Sequence, residues 1–216
     1  MSVPVNGVTD PLIWVDCEMT GLDPETDALI EIAVIVTDSD LNQLGDGIDI
    51  VIKPPDEALE QMSDFVCEMH STSGLLRQLA NGVTLAEAQA EVMAYVKAHV
   101  PNQGKAPLAG NSVSTDRVFI NRDMPEFGAY LHYRTIDVSS IKELARRWYP
   151  RLYFAAPEKL GGHRALADIV DSIDELRYYR ACMFVSEPGP DSDTARAAAL
   201  AIQEASARRE PTEPGQ

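Results

Sequence analysis

Apolar and polar positions alternate unevenly along the first fifty residues, and three strands emerge from the pattern. Residues 11 to 19 ("PLIWVDCEM") and 28 to 38 are dense in Ile, Val, Leu and Trp, and "GIDIVI" at 47 to 52 alternates with a period of two. Turn-rich "TGLDPETD" and "TDSDLNQLGDG" separate them, which predicts an antiparallel meander. The pattern from 56 to 80 is helical but irregular. Thr84 and Glu87 form a capping box for a helix whose inner face is Leu85, Ala88, Val92, Tyr95 and Val96, and Pro101 stops it. "APLAG" predicts a short buried strand, Ser114 or Thr115 caps a helix holding Asp116, and "YRTIDV" predicts another strand. Ser140 and Glu143 are expected to cap a helix with Ile141, Leu144, Ala145 and Trp148 inward, stopped by Pro150. Gly161 and Gly162 precede a long helix at about 164 to 182.

This order predicts an α/β fold, a mixed sheet with an antiparallel meander plus parallel strands, flanked by helices. Its expected extent is residues 1–185. Residues 186–216 then read as a Pro-containing linker ("SEPGPDSD"), an Ala-rich helix at about 193 to 208 and a disordered tail, "EPTEPGQ".

The first strand carries its own difficulty. Asp16 and Glu18 follow an apolar run, and burying an ionised carboxylate without a partner costs several kcal/mol or more. Residues i and i+2 of a strand share a face, so both carboxylates project together with their Cα atoms about 7 Å apart. Residues 1–52 contain eleven acids and no Lys or Arg, so that segment's side chains supply no counter-charge. Paired carboxylates where a sheet opens into a cleft suit a hard divalent ion, although an isolated D-x-E is more often an exposed acidic strand end. Asp116, near a helix start, would ordinarily be a helix-dipole residue. His163 and Asp168 lie five positions apart and cannot share one helical face, yet they converge if His163 is in the glycine-hinged loop and Asp168 one turn inside the helix. Asp171, Asp174 and Glu175 read as solvated.

Charge narrows the partners. Eighteen bases against thirty-four acids leave the chain at −16, unlike a protein that tracks long nucleic acid through a basic surface. Residues 134 to 164 reverse the balance, with seven bases and three acids, which suits a small phosphorylated ligand better than a long polymer, or else a solvated helix face. Cys17, Cys67 and Cys182 form no CxxC pair, and a reducing, cytoplasmic setting with thiols as small core residues is expected. Cys67 and His70 have C-x-x-H spacing, but no second pair accompanies them, so zinc is rejected. No apolar stretch has the length of a membrane span, and the N-terminus lacks a charged signal start.

Together, "WVDCEMTGLD", the helix-borne Asp116 and "HRALAD" resemble the DEDDh family of 3′→5′ exonucleases, whose domain has a ribonuclease H-like fold. "GNSVSTDRVFI", "LHYRTIDVSSIKELARRWYP" and "GGHRALADIVDSIDELRYYR" are similar to its oligoribonuclease branch, which degrades very short RNAs; the resemblance runs from about residue 11 to 182. It implies that Asp16, Glu18, Asp116 and Asp168 hold two divalent ions, Mg²⁺ or Mn²⁺, with Asp116 acting through water. It implies that His163 is the general base, and that the product is a 5′-mononucleotide. It further implies that Leu22 packs against bases, that His70, Ser112, Arg134 and Ser139 surround a 5′-phosphate, and that Tyr133 reaches in from a second subunit of a homodimer. Phe65 stands where some relatives carry tryptophan. The competing expectations are a broader exonuclease acting on DNA or longer RNA, and a non-catalytic nucleic-acid-binding module on the same fold.

Overall fold

The computed structural model describes residues 10–158, 162 and 164–207. Strands β1 (Leu12–Met19), β2 (Leu29–Thr37) and β3 (Gln43–Val51) form the meander, and the short strands β4 (Leu108–Gly110) and β5 (Thr135–Asp137) extend it. The sheet order is β3-β2-β1-β4-β5. Pairs β1/β2 and β2/β3 are antiparallel, whereas β1/β4 and β4/β5 are parallel. Parallel pairing demands a crossover, and helices supply it. These are α1 (Asp56–Glu60), α2 (Asp64–Thr72), α3 (Leu85–His99), α4 (Ser114–Asp123), α5 (Pro125–Tyr130), α6 (Val138–Trp148), α7 (Pro150–Phe154), α8 (Ala165–Met183) and α9 (Ser192–Ala207).

Alternation along β1 divides the core into two layers. Ile13, Val15, Cys17 and Met19 pack with Val92 and Val96 of α3, Phe119 of α4 and Phe127 of α5. Trp14 faces the other way, with Ala145 of α6 and with Ile169, Ile173, Leu176 and Tyr179 of α8. Its indole Nε1 donates to Thr37 Oγ1 at 3.0 Å, so the buried ring keeps a polar partner. Asp16 and Glu18 share the parity of Trp14 and therefore project on the α8 side.

Several local expectations are corrected. β3 begins at Gln43 rather than 47, because Gly45 and Gly47 adopt φ of +74° and +78° and let the strand continue through an irregular register. The capping box at Thr84 and Glu87 is present as expected, and α3 ends at His99. Helix α4 has Val113 at its N-cap and no side-chain cap, where Ser114 or Thr115 was expected. Helix α6 is capped by Asp137, whose carboxylate accepts from the Ser139 amide, so it begins before Ser140. Leu144 and Trp148 of α6 are exposed, not inward. Pro150 ends α6 but also opens α7, as a first-turn proline can. Only Cys17 of the three free thiols is buried, and Cys182 is exposed. Helix α9 matches its expected span; the tail from Glu210 to Gln216 lies outside the described residues. No helix among the described residues is long and apolar enough to cross a membrane.

Candidate active site

One strand and two helices bring the acids together. β1 presents Asp16 and Glu18 at its C-terminal end, and α8 presents Asp168 in its first turn. One carboxylate oxygen from each of Asp16, Glu18 and Asp168 lies within 4.8 Å of the other two. Asp116 of α4 approaches from the opposite layer: its Oδ1 accepts from the backbone amide of Cys17, between the two β1 acids, at 2.9 Å. It is 6 % exposed, so it is a built part of the site and not a surface dipole residue. His163 lies outside the described residues.

The electrostatics are those of crowded acids. Burial, then the neighbouring carboxylates of Glu31, Asp168 and Asp116, push Glu18 up to about 7, while the Arg164 guanidinium pulls it partly back. Burial pushes Asp116 up to about 6 against the lowering effect of the amides it accepts from. Burial and the nearby acids raise the Cys17 thiol well above its ordinary value, so it stays protonated. Converging oxygen donors whose mutual repulsion a cation would relieve match what a hard divalent ion requires. Asp16, Glu18 and Asp168 are the residues that fit such an ion directly.

A stability prediction follows from the sign of these shifts. Glu18 and Asp116 hold protons more tightly folded than unfolded, so in the metal-free protein their stabilising protonation is lost as pH rises through about 6 to 7. The metal-free chain should melt at a lower temperature at pH 8 than at pH 5.5. Over that pH interval Glu18 accounts for on the order of 2 kcal/mol. Glu18→Gln should shrink that difference, and Mg²⁺ should raise the pH 8 melt most. A Glu18→Gln melting profile with the same pH slope as the parent contradicts this assignment.

The other expected site residues fall into two groups. Leu22, Phe65 and Tyr133 are open to solvent, at 74 %, 76 % and 76 % exposure. The loop bearing Leu22 is firmly built. Thr20 Oγ1 and the Asp23 amide donate to Asp27 at 2.9 Å each, and Arg122 donates to the carbonyls of Pro24 and Asp27. A Cβ at Gly21 would stand 2.3 Å from Asp27 Oδ2, so a larger residue there would displace the carboxylate that holds this loop. Ser112 and Ser139 share a hydrogen bond at 3.1 Å, and Ser139 Oγ donates to Asn111 Oδ1 at 2.9 Å. Arg134 is exposed, its guanidinium 5.4 Å from the Tyr133 ring centre.

His70 is packed beside the acids. It is fully buried in α2, with Nε2 donating to the Met19 carbonyl at 2.9 Å and Nδ1 3.9 Å from Glu18 Oε2. Its ring therefore backs Glu18. Glu175 is corrected: it is buried, not solvated. It meets Lys142 Nζ at 3.1 Å and accepts from Asn111 Nδ2 at 3.1 Å and the Tyr179 hydroxyl at 3.2 Å. Asp174 is exposed and paired with Arg177, as a solvated residue should be.

Two residues near the acids went unread in the sequence. Glu31 of β2 is directly opposite Glu18 in the strand register and is fully buried, and Arg164 contacts it at 2.7 Å. The apolar neighbours of Glu31 in "LIEIAVIV" were the available signal, because a lone acid in a buried strand calls for a cation.

Comparison with known proteins agrees with this geometry. The RNase_T family, described as exonuclease, matches residues 13–176. The oligoribonuclease of Streptomyces coelicolor is 65 % identical over 192 residues, 89 % of this chain and 96 % of that protein. The oligoribonuclease of Leifsonia xyli subsp. xyli is 58 % identical over 196 residues, 91 % of this chain and 95 % of that one. Among solved structures, a zinc-bound complex of E. coli exonuclease I with single-stranded DNA superimposes with a TM-score of 0.64 at 18 % identity, covering 81 % of this chain. Exonuclease I of Methylocaldum szegediense gives 0.62 at 20 % identity over 80 % of this chain. The chain spans 41 % of either exonuclease I, and at that identity the likeness shows the ribonuclease H-like fold alone.

Proposed function

This chain belongs to the oligoribonuclease family of exonucleases, and we infer from that premise that it is a 3′→5′ exoribonuclease that degrades very short RNA to 5′-mononucleotides. The observation that carries the chemistry is the convergence of Asp16, Glu18 and Asp168 within 4.8 Å. We propose two divalent ions, Mg²⁺ or Mn²⁺, held by these three carboxylates and by Asp116 through water. When bound, the ions acidify the attacking water and stabilise charge on the phosphate oxygens. His163, with an ordinary pKa of about 6.5, takes the proton of that water. Attack at phosphorus breaks its bond to the 3′ oxygen of the preceding nucleotide, which leaves with a proton as a free hydroxyl. The released nucleotide keeps its 5′-phosphate.

Grip on the substrate is proposed for Leu22 and Phe65 against bases, and for His70, Ser112, Arg134 and Ser139 at the 5′-phosphate. The exposure of Leu22 and Phe65 and the shared hydrogen bond of the two serines support this arrangement. A homodimer is proposed in which Tyr133 reaches its partner's site; the solvent-facing ring of Tyr133 is what that role needs. A cytoplasmic location is proposed from the three free thiols. Residues 1–185 are proposed as the exonuclease domain and 186–216 as an appended linker and helix.

Charge makes the substrate length testable. A body at −16 repels a long RNA backbone, while a dinucleotide needs one phosphate contact patch. A 5′-phosphorylated two-mer should be consumed faster than a five-mer when both compete at subsaturating concentration. Arg134→Ala, or removal of the 5′-phosphate, should cost about 1.5–3 kcal/mol of binding. Equal consumption of both lengths, unaffected by Arg134→Ala, would sink the short-substrate reading and favour a general exonuclease.

A further inference from the structure

The N-terminus of α8 is held by a residue from another strand. Arg164 is the N-cap of that helix and offers no side-chain cap of its own. The free amide of Ala165, the first helical residue, donates instead to Glu31 Oε2 of β2 at 3.1 Å. Arg164 Nε donates to the other oxygen of the same carboxylate at 2.9 Å, and its Nη2 lies 2.7 Å from that oxygen and 3.4 Å from Asp49 Oδ2 of β3. Glu31 thus receives a helix-start amide and a guanidinium at once, while its side chain is fully buried. A buried carboxylate so paired cannot drift without losing both partners.

Asp168 depends on this junction. Its amide donates to the Arg164 carbonyl at 3.0 Å, closing the first turn of α8. The strand bearing Glu31 is bonded to the strand bearing Asp16 and Glu18, with Glu31 opposite Glu18. One side chain therefore ties the start of the helix that supplies the third carboxylate to the strand pair that supplies the other two. We propose that Glu31 and Arg164 are positioning residues for the metal centre, which set the distance of Asp168 from Asp16 and Glu18 and so the affinity for divalent ions. This rests on the reading of Asp168 as a metal ligand. An ion pair that only held the fold together would leave metal affinity untouched.

Calorimetric titration of Mn²⁺ into the full chain separates the two, using the parent, Glu31→Gln, Asp168→Asn and the double variant. Glu31→Gln should weaken Mn²⁺ binding by about 10–100-fold, as for other residues that orient a ligand. In the Asp168→Asn background the same change should add less than about twofold. Equal weakening in both backgrounds, or none in either, overturns the proposal while leaving Asp168 a ligand. Normal Mn²⁺ binding by Asp168→Asn instead overturns the ligand reading and this inference with it. Should Glu31→Gln not fold, Arg164→Lys keeps the charge and loses the fork. Hydrogen exchange at the amides of Asp168 and Ile169 in metal-free Arg164→Lys should then be roughly fivefold faster or more, the size of a lost helix cap. Unchanged exchange there overturns the proposal.

Discussion

Asp16→Ala is expected to abolish hydrolysis, with a loss of more than about 10³-fold at saturating Mn²⁺, or upwards of ~4 kcal/mol of barrier. Asp16 stands on the central strand with its oxygens beside those of both Glu18 and Asp168, so its removal opens the donor set at its shared corner. The fold should survive. Burial and then the carboxylates of Glu31, Asp168 and Asp116 raise the pKa of Glu18, and Asp16 stands in the same crowded cluster, so one like charge fewer relieves the metal-free chain. The metal-free variant should therefore melt at the same temperature as the parent or higher, while its gain on adding Mn²⁺ disappears. Turnover within about tenfold of the parent, about 1.4 kcal/mol of barrier, would show that the carboxylate cluster is not where the reaction is driven.

His163→Ala should lower the turnover number by about 10²–10⁴-fold, the range for loss of a general base. Affinity for a non-hydrolysable dinucleotide should change far less, because the base serves the transition state and not the ground state. The pH dependence gives a second readout. The parent rate should fall at acid pH as the imidazole of the base becomes protonated, and that limb should be missing in the variant. A variant that binds poorly but turns over normally at saturation would assign His163 to substrate grip.

Much of the site was legible because it depends on local rules. The parity of a strand put Asp16 and Glu18 on one face, and the same parity put Trp14 with them on the α8 side, as observed. The capping box at Thr84 was legible for the same reason, since all its atoms lie within four residues. What was lost depended on distance along the chain. The question of which cation offsets the acids has a partial answer inside the protein, in Arg164, but its bond to Glu31 spans 133 positions. Glu175 read as solvated because its helix neighbours are charged, and only the fold brings Asn111 and Lys142 to it. Asp137 outcompeted Ser140 as the α6 cap because β5 delivers it in extended geometry at the helix start, something no helical periodicity records. The packing of the His70 ring against the Met19 carbonyl and Glu18 was likewise not legible, because α2 and β1 meet only in the fold.

The central claim is that a divalent-ion centre at Asp16, Glu18 and Asp168 drives hydrolysis. Anomalous diffraction from crystals grown with Mn²⁺ and a non-hydrolysable 5′-phosphorylated dinucleotide tests it most directly. The account predicts two manganese peaks, one bounded by Asp16, Glu18 and Asp168 and a second reached by Asp16, with the dinucleotide's internal phosphate between them. Peaks elsewhere, or none at these carboxylates with the dinucleotide bound, would contradict it.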